Sequence, residues 1–201
     1  MKALLLIDVQ YDFMPGGSLP VTEGDHIIPV INHLQNHFDL VIASQDWHPP
    51  EHLSFARNHL GQQAFAEIEL NGLAQTLWPA HCVQGSQGAE LHRDLDCRKI
   101  AAIFRKGMNP EIDSYSAFYD NGHRQSTGLT GYLKERAVDT LYFTGLAADF
   151  CVYFSIIDAL KAGFACVLIE DATRAIDPEN FKRQKQQLLA EGVKIINSRD
   201  L

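Results

Sequence analysis

Short apolar runs recur along the chain at Ala3–Ile7, Leu40–Ala43, Ile100–Phe104, Thr140–Thr144, Phe164–Ile169 and Val193–Ile196. Each is brief and mostly free of charge, which predicts parallel strands buried on both faces rather than strands with one wet side. The segments between them carry helical spacing. Asp25 to His37 places Ile27, Ile28, Ile31 and Leu34 on one stripe, with Phe38 just beyond, and Ala148 to Lys161 does the same with Val152, Ile156, Ile157 and Leu160 before Gly163. Pro178 to Glu191 forms a third helix, with proline at its start and Gly192 after its end. Strands alternating with helices predict an α/β fold, an open sheet with helices on both faces, and ligands in such folds bind beyond the carboxyl ends of the strands. The stretch from Pro49 to Asp96 lacks a clear period and is rich in His, Gly and Gln, so it reads as a loop excursion over that edge carrying short helical pieces.

The edge gathers chemistry. Asp8 follows the first strand, Asp46 and His48 the second, Lys106 the third, and Cys151 opens the helix after the fourth. An acid at the end of an apolar run is partly desolvated and needs a cation, which Lys106 can supply. Cysteine attacks as the thiolate, so Cys151 needs a base and a positive neighbour. Asp8 can be that base and Lys106 that neighbour, and a helix starting near Asp149 adds its positive end and backbone N–H groups able to receive an oxyanion. A second constellation is Asp46 and His48, which alternation points to one side, with His81 reaching in from the excursion and His52 close by. Carboxylate and imidazole without thiolate suit a divalent metal ion, Zn, Fe or Mn. Taken singly, these residues also fit a capped turn, a surface lysine, a core thiol and scattered histidines.

Composition narrows the partners. The chain has 201 residues, room for one domain spanning 1–201, and 46% apolar against 21% charged residues is ordinary for a globular protein. A net charge of −8 argues against nucleic acid or an anionic membrane as the main partner and leaves a small-molecule substrate. No apolar stretch is long enough to span a bilayer, and Asp8 interrupts what would otherwise resemble a signal segment, so the expected location is cytoplasmic. Cys82, Cys97, Cys151 and Cys166 show no paired spacing and read as free thiols. These patterns are compatible with a homo-oligomer.

Five ordered blocks then carry a resemblance. Asp8-Val9-Gln10-Tyr11-Asp12-Phe13, Ser44-Gln45-Asp46-Trp47-His48-Pro49, Trp78-Pro79-Ala80-His81-Cys82-Val83, Arg105-Lys106-Gly107 and Gly145-Leu146-Ala147-Ala148-Asp149-Phe150-Cys151-Val152 together resemble the nicotinamidase/pyrazinamidase branch of the isochorismatase-like hydrolases, from the first strand to the last helix. The resemblance implies a Rossmann-like three-layer α/β/α fold with a six-stranded parallel sheet. It implies hydrolysis of nicotinamide to nicotinate and ammonia in NAD salvage, with pyrazinamide as an alternative substrate. By position it makes Cys151 the nucleophile, Asp8 the base and later acid, and Lys106 their electrostatic partner. The N–H groups of Ala147 and Cys151 become the oxyanion donors, with a cis peptide bond at Leu146–Ala147. Asp46, His48 and His81 become metal ligands, His52 a less secure fourth, and Phe13, Trp78 and Tyr115 the ring pocket. Rival readings are another cysteine amidase acting on carbamoyl or ureido compounds, which need not keep the metal ligands, and a non-catalytic metal-binding protein, in which Cys151 is unreactive.

Overall fold

The computed structural model describes residues 1–201. Six strands form one all-parallel sheet: β1 (Lys2–Ile7), β2 (Leu40–Asp46), β5 (Ile100–Lys106), β6 (Thr140–Gly145), β7 (Ala165–Thr173) and β8 (Lys194–Ile196), in the order β5-β2-β1-β6-β7-β8. The remaining two, β3 (Glu67–Leu70) and β4 (Leu73–Thr76), pair with each other as an antiparallel hairpin. The central strands are mostly apolar because both faces are covered. Leu4 and Leu6 point into a core shared with Ile27, Ile31 and Leu34 of α1 (Ile27–Leu34). Ala3, Leu5 and Ile7 point the other way, toward α2 (Leu129–Glu135), α3 (Tyr153–Lys161) and α4 (Pro178–Ala190). The result is the three-layer sandwich expected from the alternation of elements.

The chain reverses direction in strand order on either side of β1, with β2 on one flank and β6 on the other. A crevice opens at such a reversal, outside the carboxyl ends of the strands. Gly145, the last residue of β6, has φ +107, and a side chain there would lie 2.0 Å from the Ile7 carbonyl, so only glycine lets β6 close against β1 at this end.

Three local expectations need correction. The helix expected over Asp25–His37 is regular only over Ile27–Leu34 and is flanked by 3-10 turns. The segment Ala148–Val152 is a π-turn, with the Val152 N–H reaching the Ala147 carbonyl five residues back, and α3 proper starts at Tyr153. Cys151 therefore lies inside the π-turn instead of opening an α-helix. The excursion contains 3-10 turns at Ala56–Asn58 and Gln87–Ala89, as short helical pieces, but its longest regular feature is the β3–β4 hairpin. The Asn71-Gly72 pair makes that turn with φ of +52 and +79, the two left-handed residues of a type I′ connection. Finally, α2 had no forecast at all.

Candidate active site and metal centre

The crevice is floored by groups set at the ends of adjacent strands. Asp46 and Lys106 close β2 and β5 and are direct partners in the ladder, so register alone brings a carboxylate beside an ammonium. Asp8, one residue past β1, has φ +48, a left-handed conformation that turns its side chain under the crevice. Gln10 fixes this corner: its Oε1 accepts the Asp46 N–H at 2.8 Å and its Nε2 donates to the carbonyls of Asp46 and Ala89, each at 2.8 Å.

Lys106 joins the two constellations that the sequence kept apart. Its Nζ lies 3.0 Å from Asp8 Oδ2, 3.0 Å from Asp46 Oδ1, 2.8 Å from the Ser114 carbonyl and 3.4 Å from Cys151 Sγ. All of these side chains are buried. Burial alone would push the lysine down, but the two carboxylates override it and hold the ammonium well above its ordinary range. Burial raises Asp8 more than Lys106 lowers it, and the Asp46 charge adds to the rise. Asp8 is thus a better proton acceptor than an exposed carboxylate. Burial also pushes the Cys151 thiol well above its ordinary value, with Lys106 opposing and Asp8 and Asp46 reinforcing the rise. Burial, reinforced by two carboxylates against one ammonium, thus favours the thiol over the thiolate in the resting site.

Asp46 faces a different set of partners. Burial opposes its charge, yet His48 and Lys106 hold its carboxyl well below the usual range. The His48 Nδ1–H donates to the Gly107 carbonyl at 2.9 Å, and the His81 Nδ1–H donates to the Pro79 carbonyl at 2.8 Å. A carbonyl can only accept, so both rings turn an Nε2 lone pair toward Asp46 Oδ2, at 3.0 and 3.3 Å. Three acceptors then converge with no proton to separate them, unless one imidazole takes a second proton or a cation is bound. Burial works against charging His48, but Asp46 beside it prevails and raises its proton affinity, the same attraction that would hold a metal ion. The donor set therefore fits a divalent cation. His81 is delivered by the excursion: the His48 N–H bonds to the Cys82 carbonyl at 3.0 Å, and Asp12 Oδ2 accepts the Cys82 N–H at 2.7 Å. His52 does not join that group. It clusters with His48 and with Asp113, a buried carboxylate unnoticed in the sequence.

The crevice deepens into a pocket lined by Cys151, Ala147, Asp46, His81 and Asp113 on its polar side and by Phe13, Trp78, Tyr115 and Phe150 on its aromatic side. Phe150 is the ring that sequence reasoning missed, although it precedes Cys151; its centroid lies 4.9 Å from that of Trp78 and 5.5 Å from that of Tyr115. The Leu146–Ala147 peptide is cis, and Ala147 lines the pocket wall. None of the four cysteines is paired with another. No helix is long and apolar enough to cross a membrane.

Comparison with known proteins places this geometry. The family model described as the isochorismatase domain matches residues 2–200. A curated nicotinamidase of Acinetobacter baylyi is 52% identical over 200 residues, covering 99% of this chain and 94% of the relative. The solved structure of a nicotinamidase/pyrazinamidase of Acinetobacter baumanii superposes with a TM-score of 0.96 at 49% identity, covering 99% and 97%. A pyrazinamidase of Pyrococcus horikoshii, solved in complex with zinc, gives 0.81 at 36% identity with 98% of both chains covered.

Proposed function

This chain belongs to the isochorismatase family, and from that premise we propose how its pocket hydrolyses nicotinamide to nicotinate and ammonia, a step of NAD salvage, with pyrazinamide as a second substrate. One observation carries the assignment of roles: Lys106 Nζ lies 3.0 Å from Asp8 and 3.4 Å from Cys151, and Cys151 lines an aromatic-walled pocket. The aromatic rings take the flat pyridine, which sets the carboxamide carbon over Cys151. Asp8 removes the thiol proton as Sγ attacks that carbon, so the thiolate forms in the act and Lys106 steadies the charge passing between sulfur and carboxylate. The carbonyl oxygen becomes an oxyanion facing the N–H groups of Ala147 and Cys151. Collapse breaks the C–N bond, and the proton held on Asp8 goes to the departing ammonia. Water then attacks the thioester, giving one proton to Asp8; the C–S bond breaks, nicotinic acid leaves and ionises to nicotinate in solvent, and Asp8 returns its proton to sulfur.

Asp46, His48 and His81 would hold the divalent cation, which supplies a Lewis-acid contact for the pyridine nitrogen or for water. Zinc, iron and manganese all suit the donor set, and the zinc-bound Pyrococcus pyrazinamidase favours zinc. Residues 1–201 act as one domain in this reading, and four unpaired thiols suit a cytoplasmic setting.

Ammonia release from nicotinamide by the wild type and by Cys151→Ala, with metal content determined on both, tests the assignment. Turnover should fall by at least about 10³-fold in the variant while metal content holds. A metal-loaded wild type that leaves nicotinamide and pyrazinamide untouched would overturn it.

A further inference from the structure

We infer that His52 serves the metal centre as a hydrogen-bond donor and not as a ligand, and that with Asp113 it fixes a water molecule against the cation; this rests on the Asp46–His48–His81 site proposed above. The argument is one of ring protons. His52 is fully buried, and its Nδ1 accepts the backbone N–H of Ser54 at 3.1 Å, with Ser54 Oγ at 2.8 Å. A backbone N–H can only donate, so Nδ1 keeps its lone pair and the neutral ring carries its proton on Nε2. That Nε2 is buried and has no partner in the chain. In His48 and His81 the pattern is reversed, because carbonyl oxygens take their Nδ1 protons and leave Nε2 bare. Three histidines in one cluster thus split into two lone-pair donors and one proton donor.

The unpartnered N–H belongs to a buried cluster of polar groups. The His48 and His52 ring centroids are 4.4 Å apart, and Asp113 Oδ1 lies 4.0 Å from His48 Nε2. Potential ligand atoms of His48, His52 and Asp113 all lie within 4.8 Å of one another. Asp113 cannot swing freely, since its oxygens accept the Ser114 N–H at 2.8 Å and the Gln75 amide at 3.2 Å. A second metal ion is the competing occupant. It would need the Nε2 lone pair of His52 and so a proton on Nδ1, which would then face the Ser54 N–H donor to donor. It would also need the Nε2 of His48, already turned to Asp46. Water meets every group: it accepts from His52 Nε2–H, donates to Asp113, and keeps a lone pair for the cation. His52 and Asp113 are positioning residues in this arrangement.

Cobalt(II) substitution tests the inference, because the ligand-field spectrum and an X-ray absorption count of imidazoles report coordination independently of turnover. The wild type should show two imidazoles. His52→Gln, which retains an N–H donor, should keep the wild-type spectrum and affinity, whereas His52→Ala and Asp113→Asn should weaken cobalt binding in chelator competition by about 10–100-fold with the imidazole count unchanged. Three imidazoles in the wild type would make His52 a ligand and overturn the inference without using any variant. Unaltered cobalt affinity in both His52→Ala and Asp113→Asn would overturn it as well. A wild type that binds no cobalt would remove the metal site itself, a failure distinguishable from a three-imidazole centre.

Discussion

Asp8 and Asp46 are two carboxylates that share one ammonium and leave it with opposite tendencies. Each lies 3.0 Å from Lys106 Nζ, each is buried, and they sit at the ends of neighbouring strands. The second oxygen separates them. That of Asp8 meets a single hydroxyl, Ser44 Oγ at 2.6 Å, and the carboxyl stays raised above its ordinary value by burial. That of Asp46 meets two imidazoles, and the carboxyl is held well below that value despite the same burial. Burial opposes both anions, so the further positive charge beside Asp46, a protonated His48 or a bound cation, decides which acid retains proton affinity. Asp8 can move a proton, and Asp46 stays an anion that a cation can use. One lysine thereby separates a proton-transfer site from a metal site whose nearest groups are in contact.

Removing what the two acids share gives the largest effect. Lys106→Met leaves both carboxylates buried without their common cation and should destabilise the fold by about 3–5 kcal/mol in denaturant titration, with nicotinamide turnover lost. Changing the acids singly should split the effects. Asp8→Asn should lower nicotinamide turnover by about 10²–10⁴-fold and leave metal content intact, whereas Asp46→Asn should lose the metal ion on dialysis and keep a thiol at Cys151 that iodoacetamide can alkylate. Metal loss from Asp8→Asn would show that Lys106 couples the sites instead of separating them. A smaller effect, confined to the metal side, should come from Gly107→Ala. Gly107 has φ +68, and a Cβ there would collide with the His48 ring and crowd Asp46 Oδ1, so the pairing of the two must be disturbed. Metal affinity in chelator competition should fall by about 10–100-fold while Cys151 alkylation proceeds at the wild-type rate.

What made this comparison legible in the sequence was the strand ends. Strands buried on both faces are largely apolar until they leave the sheet, so Asp8 and Asp46 mark the crevice by themselves, and Lys106 marks it as the buried last residue of the edge strand β5. The contact between Lys106 and Asp46 was not legible, because it depends on the β2–β5 register, and so two constellations were read where the fold has one. Ser44 and Asp113 escaped for a related reason: nothing in local spacing says that a strand serine reaches Asp8 or that the loop after β5 folds back over His48. Phe150 looked like one apolar residue among many until the π-turn aimed it at Trp78. The β3–β4 hairpin was a different kind of miss, since Asn71-Gly72 flanked by alternating Glu67-Ile68-Glu69-Leu70 is a hairpin signal that the length and polarity of the excursion concealed.

The smallest effect is the sharpest test of Asp8 itself. The Ser44 hydroxyl donates to Asp8 Oδ1 and so favours the charged carboxylate, lowering its proton affinity against the stronger upward push of burial. Ser44→Ala removes that donor, and the carboxyl should rise further. The proposed attack needs Asp8 unprotonated, so kcat/KM falls as pH drops through its raised value, and the wild-type acid limb should sit above the unperturbed 3.8. In Ser44→Ala that limb should move to higher pH, so that turnover falls below the limb and changes little above it. Lys106 adds no competing limb near neutrality, because its own proton is held more tightly than usual. A limb that stays in place, or moves to lower pH, would mean that the proton governing the reaction is not on Asp8, and the division of labour between the two acids would have to be redrawn around Asp113 or the metal-held water.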